Sequence, residues 1–80
     1  MIPDSHLDLV ERIVNERTGI KATELAALVV KECRDIVDLS EVIEELVRVM
    51  RIVEVEYILP SANYRIKSFL LPKGTEVRVR

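Results

Sequence analysis

The feature that most constrains this chain is a change of hydrophobic period at residues 50–53. From Leu39 to Met50, the apolar residues Leu39, Val42, Ile43, Leu46, Val49 and Met50 recur at three- and four-residue spacing, which is one face of an α-helix. Glu41, Glu44, Glu45, Arg48 and Arg51 occupy the opposite face. Beyond Met50 the period falls to two. Val53, Val55, Tyr57 and Leu59 alternate with Glu54, Glu56 and Ile58, and β-branched residues dominate, so a strand is predicted. A helix that runs almost without a loop into a strand commits the chain to an α+β arrangement in which both elements bury a face in one core.

The remaining punctuation supplies the other elements. Leu7, Val10, Ile13 and Val14 follow Asp4 and Ser5 at helical spacing, with either polar side chain available as the cap. Thr18-Gly19 ends that helix, because glycine takes the left-handed conformation of a helix stop without steric cost. Ile20 is expected to pack back on the first turn of a second helix, which begins near Lys21 or Ala22 and carries Leu25, Ala26, Leu28, Val29 and Cys33. Arg34 to Val37 reads as a connector, and Asp38-Leu39-Ser40-Glu41 has the spacing of a capping box for the third helix. Pro60-Ser61-Ala62-Asn63 is a turn between the first strand and a second alternating run, Tyr64 to Leu71. A hairpin closed by that loop sets Glu56 opposite Lys67. Pro72-Lys73-Gly74-Thr75 turns again, leaving residues 76–80 as an edge strand or a loose tail.

At 80 residues, such a chain reads as a single domain that buries only about 60% of its unfolded surface. Leu7, Val10, Ile13, Val14, Leu25, Leu28, Val29, Val42, Leu46, Val49, Val53, Val55 and Tyr57 are expected in one core. A single cysteine, Cys33, excludes an internal disulfide, and a single histidine, His6, leaves too few soft ligands for an ordinary zinc site. Cys33 reads as a small buried hydrophobe with no histidine near it. Neither a membrane-spanning run nor a signal segment is visible, so the expected setting is cytoplasmic. No cofactor is implied. Phosphate loops, metal-ligand spacings and nucleophile elbows are all missing, so the chain does not read as an enzyme.

Three helices followed by a hairpin resemble the winged helix-turn-helix superfamily over residues 4–71. Gly19-Ile20-Lys21-Ala22-Thr23-Glu24-Leu25-Ala26 is similar to the stretch that leads into the helix-turn-helix unit. Val42-Ile43-Glu44-Glu45-Leu46-Val47-Arg48 looks like the recognition helix, and residues 52–66 look like the wing. The resemblance implies a DNA-binding module of transcription-regulator type. Ser40, Arg48 and Arg51 would approach the groove, while Arg65, Lys67 and Lys73 on the wing would hold phosphates.

Charge is distributed unevenly. Residues 1–56 carry 7 basic and 13 acidic side chains, a net of −6, whereas residues 57–80 carry 5 basic and 1 acidic, a net of +4. A basic wing and tail suit phosphate contacts; equally, Lys67 would pair with Glu56 and the tail cations would keep an edge soluble. Glu44 stands four residues before Arg48, the favourable orientation for an ion pair. An alternative function therefore stands beside DNA binding: a protein-interaction module that docks a basic partner on Glu41, Glu44 and Glu45. Phe69 and Leu71, on a partly charged strand face, together with the 76–80 edge, raise the expectation of a homodimer.

Overall fold

Pro3 and Arg17 cap the first helix, which ends ahead of the expected Thr18-Gly19 stop. The computed structural model describes residues 2–33, 38–58 and 66–76, with the side chains at 57, 58, 66 and 67 outside the description. Helix α1 spans Asp4–Glu16, and its cap is Pro3 (φ −61°, ψ 139°) with no side-chain cap bond. The expected cap from Asp4 or Ser5 is thus not used. The proline ring already holds the φ that a helix start requires, and the Pro3 carbonyl accepts from the backbone N–H of His6 and Leu7 at 3.0 and 3.3 Å. Asp4 falls in the first turn, where negative charge meets the positive end of the helix dipole.

Gly19 adopts φ 84°, and its N–H donates to the Leu70 carbonyl at 2.9 Å. That turn lays Ile20 and Lys21 alongside a later strand. Ile20–Lys21 forms β1, paired antiparallel with Ile20 opposite Leu70 and Lys21 opposite Phe69. Ile20 is therefore a buried strand residue and not only a packing residue at a helix start. Helix α2, Ala22–Glu32, follows at once and buries Leu25 and Val29. An Arg12–Glu32 ion pair joins α1 to α2. The expected connector at residues 34–37 lies outside the described residues.

Helix α3 spans Leu39–Arg48, and Asp38 caps it as expected, its Oδ1 accepting from the Glu41 N–H at 3.2 Å. The C-terminal end is unusual. The Met50 N–H donates to the Val47 carbonyl at 3.1 Å, and the Arg51 N–H donates to the Leu46 carbonyl at 2.8 Å. This is a Schellman motif, with Met50 at φ 61° in the position that normally favours glycine. The helix consequently stops at Arg48, two residues short of its expected end. Val49 and Met50, expected on the core face, are 42% and 78% exposed.

Strands β2 (Ile52–Ile58) and β3 (Ile66–Pro72) form the hairpin, and β3 is the middle strand of an antiparallel sheet ordered β1-β3-β2. Its register differs by one from expectation: Glu56 stands opposite Ser68, and Lys67 opposite Tyr57. Because neighbouring strand residues face opposite sides, Ile52, Glu54, Glu56 and Leu70 share one face, and Val53, Val55, Phe69 and Leu71 share the other. The core takes Ile52 and Leu70 at 2% and 0% exposure. Val53 and Val55 are only half-buried and lie outside the core cluster, contrary to the expected inward placement. Their parity is set by the Schellman turn, which leaves Ile52 as the first residue facing inward.

The core comprises Val10, Ile13 and Val14 of α1, Leu25 and Val29 of α2, Val42, Ile43 and Leu46 of α3, and Ile20, Ile52 and Leu70 of the sheet, with Leu7 and Leu28 packed on its margin. Helices α1 and α2 pack against β3, and α3 packs against β2. After β3, Gly74 (φ 78°) makes a turn closed by the Thr75 N–H and Oγ1, both donating to the Pro72 carbonyl. Tyr64, the 60–63 loop and residues 77–80 lie outside the described residues. Among the described residues no helix is long and apolar enough to cross a membrane.

Candidate functional site

The exposed face of α3 is where the two functional readings compete, and its cations are already engaged. Arg48 bonds both carboxylate oxygens of Glu45, with its Nε donating to Oε2 at 3.0 Å. The sequence suggested Glu44 as its partner, but the three-residue spacing brings Glu45 to the guanidinium instead. Each group shifts the other: Glu45 is held below the ordinary carboxylate range by the Arg48 hydrogen bond, and Arg48 is held above the usual guanidinium value.

Arg51 is turned away from this face. Its Nε donates to Glu11 Oε2 at 2.7 Å, and its Nη2 donates to Glu11 Oε1 and Asp8 Oδ1, each at 3.0 Å. The Nε and Nη2 donors of the guanidinium are thereby committed to two α1 carboxylates. Arg51, expected to approach a DNA groove, is here paired with α1. The hydrogen bond from Arg51 keeps Glu11 below the ordinary carboxylate range, an effect to which the charge of Lys73 adds.

Ser40, Glu41 and Glu44 are exposed on α3, and Lys73 is exposed in the turn after β3. Ser40 and Lys73 are thus accessible, while Arg65 and the Lys67 side chain lie outside the described residues. Glu41 and Glu44 are exposed carboxylates with no ion pair among the described residues; Glu45 is half-buried and committed to Arg48.

Beside this face lies a feature that sequence reasoning missed. A groove of about 360 Å³ opens between the end of α3 and β2, lined by Val47, Met50, Ile52, Val53, Glu54 and Gly74. Its carboxylate, Glu54, is pushed above the ordinary range by burial and, beyond that, by the charges of Glu56 and Glu44. Those three residues come from two elements and converge only through the helix-to-strand turn, so no sequence spacing shows them together. One signal was available: a methionine and a valine in excess of what a closing helix can bury.

Cys33 also departs from expectation, since its Sγ stands 4.0 Å from His6 Nε2. The start of α1 and the end of α2, 27 residues apart, meet at this half-buried spot. Among the described residues no group of three His, Cys, Asp or Glu side chains is placed to hold a metal ion. Comparison with family models, with curated proteins and with solved structures returns no match.

Proposed function

We propose that this chain is a non-enzymatic interaction module that docks a basic protein partner on the acidic side of α3. The observation that carries this reading is the engagement of Arg48 and Arg51 by Glu45, Glu11 and Asp8, which leaves Glu41 and Glu44 without an ion pair among the described residues. Carboxylates on an exposed face steer a cationic surface toward it and repel the phosphates that flank a DNA groove. The basic partner should bind with an affinity that falls as salt rises, and Glu41→Lys with Glu44→Lys should abolish it. Titration of a labelled lysine-rich peptide against both proteins, followed by anisotropy, makes the test. Equal binding by the two sinks the reading.

DNA binding by a winged-helix-like domain is the second reading, supported by the element order α1-β1-α2-α3-β2-β3 and the sheet order β1-β3-β2, both compatible with a winged-helix layout. In this reading the contacts shift from the helix to the wing: Arg65, Lys67 and Lys73 hold phosphates, and only Ser40 and a re-paired Arg48 approach bases. A labelled duplex at low salt separates the two readings. Binding in the range of about 10⁻⁴ to 10⁻⁶ M, lost on Arg65→Ala with Lys67→Ala, favours DNA. A cytoplasmic setting accompanies either reading.

A further inference from the structure

Strand β2 is an edge: the sheet order β1-β3-β2 leaves its outer side without a pairing strand among the described residues. Seven residues, Ile52–Ile58, carry that edge, long enough to template another strand. Its two faces are chemically distinct. Glu54 and Glu56 follow Ile52 on the side toward the helices, and Val53 and Val55 lie on the other. Glu44 of α3 adds a third carboxylate within electrostatic reach of Glu54, and Val47 and Met50 line the same groove. Among the described residues, no Lys or Arg forms an ion pair with Glu44, Glu54 or Glu56.

Resting on the basic-partner reading, we infer that the partner supplies an extended segment of alternating aliphatic and cationic residues, which adds to β2 as a fourth strand and seats its lysines or arginines against Glu54 in the groove, where the charges of Glu44 and Glu56 add to the attraction. Strand addition provides main-chain hydrogen bonds for affinity, and the alternate side chains provide selectivity. The long stem of a lysine or arginine fits the lining, because it can lie along Val47, Met50 and Ile52 while its charged head reaches the carboxylates. The aliphatic residues of the same strand then extend the Val53–Val55 face. Charge selects this occupant over a second copy of β2. Two β2 strands paired about Val55 would set Glu54 against Glu56 twice, and like charges directly opposite destabilise a strand pair.

The probe is a blocked peptide, acetyl-(Val-Lys)3-amide, with a version N-methylated at alternate residues, both titrated into the full chain by anisotropy and by amide chemical shifts. Amide shifts should move along Val53–Glu56 and at Val47 and Met50. N-methylation should weaken binding about tenfold, the scale of one or two lost hydrogen bonds. Glu54→Gln should weaken it about fivefold, while Glu24→Gln, on the exposed side of α2, should change it less than about twofold. Binding that ignores N-methylation and Glu54→Gln, yet is lost in Glu41→Lys with Glu44→Lys, overturns strand addition and leaves the helix-face reading standing. No shift with either peptide or with polylysine overturns both. A sedimentation mass near twice the 9.2 kDa of one chain, in a dimer that Glu54→Gln tightens by removing the opposed charges, assigns the β2 edge to a second copy and overturns the inference.

Discussion

Arg51 closes a two-bond fork on Glu11 across 40 residues of sequence, at 2.7 and 3.0 Å, and so pins the turn after α3 to the middle of α1. The pair is about one-third exposed on each side, 32% and 28%, so its strength is screened but not abolished. Arg51→Ala is expected to cost about 1 kcal/mol near pH 7. The sign of its pH dependence follows from Glu11. Its carboxylate has a lowered value in the folded state because Arg51 bonds it. The contribution is therefore complete above the ordinary carboxylate range and is lost as pH falls through the folded value. Urea unfolding of both proteins at about pH 7 and about pH 2 should show the difference shrinking at the acidic end. A difference that persists there would mean that Arg51 acts by packing its stem and not by its charge.

Met50 supplies a second prediction. Its φ of 61° costs a side-chain-bearing residue backbone energy, and at 78% exposure its side chain contributes little packing in return. Met50→Gly keeps the Schellman hydrogen bonds and removes the strain, so the variant should be more stable by about 0.5–1 kcal/mol after the extra freedom of glycine in the unfolded chain is discounted. Thermal unfolding measures it. The same substitution removes one wall of the groove, so the alternating peptide should bind it more weakly. A gain in stability with a loss of binding is the signature of a residue kept for contact.

Much of the architecture was legible in the sequence because it rests on period and punctuation. The 3.6-residue spacing through Leu46 and the Asp38 cap each depend on residues close in the chain, and α1, α2, α3 and the β2–β3 hairpin follow from period and punctuation, although α1 ends at Glu16 with Arg17 as its cap and Gly19 makes the turn into β1. What stayed hidden depends on contacts between distant residues. Strand β1 has two residues and therefore no period to read; only the Gly19–Leu70 hydrogen bond reveals it. Alternation marked β2 as a strand but could not say which parity points inward, since Ile52-Val53-Glu54-Val55 is apolar on both sides at its start. The helix face was equally ambiguous. Its arginines were visible, but their engagement by Glu11 and Asp8 required α1 to be brought beside the end of α3.

Face parity yields a third prediction from two adjacent leucines. Leu70 is fully buried against the helices, and Leu71 is half-buried on the far side of the sheet beside Val53. Leu70→Ala removes core contacts and leaves a cavity, at a cost of about 2–5 kcal/mol. Leu71→Ala loses partial burial only and should cost about 1 kcal/mol. Chemical denaturation of the two variants checks the register directly. If Leu71→Ala is the more damaging, the hairpin has slipped by one residue and Val53 and Val55 belong to the core.

Gly19 separates conformational strain from crowding. A methyl group at this position would meet nothing within 4 Å, yet the backbone sits at φ 84°. Gly19→Ala should therefore destabilise the fold by about 1 kcal/mol through backbone conformation alone. The loss should appear as a lower urea midpoint with an unchanged slope, because the surface exposed on unfolding stays the same. An alanine variant as stable as the parent would show that the turn into β1 does not depend on the left-handed conformation.

Glu54 should respond to pH with the opposite sign to Glu11. Burial first, then the charges of Glu56 and Glu44, raise its value in the folded state, so the folded chain binds this proton more readily than the unfolded one. The penalty is fully present above the raised folded value. It is relieved as pH falls through that value and is gone below the ordinary carboxylate range. Glu54→Gln removes the charge while keeping the shape, and it should be the more stable protein near pH 7 by less than about 1 kcal/mol. That advantage should vanish in acid. Parallel urea titrations across the acidic range give the comparison, and a bound cationic strand should cancel the advantage by compensating the carboxylate. A glutamine variant that is less stable than the parent at neutral pH would mean that Glu54 already holds a cation within its own fold, and the groove would then have no unmet charge to offer a partner.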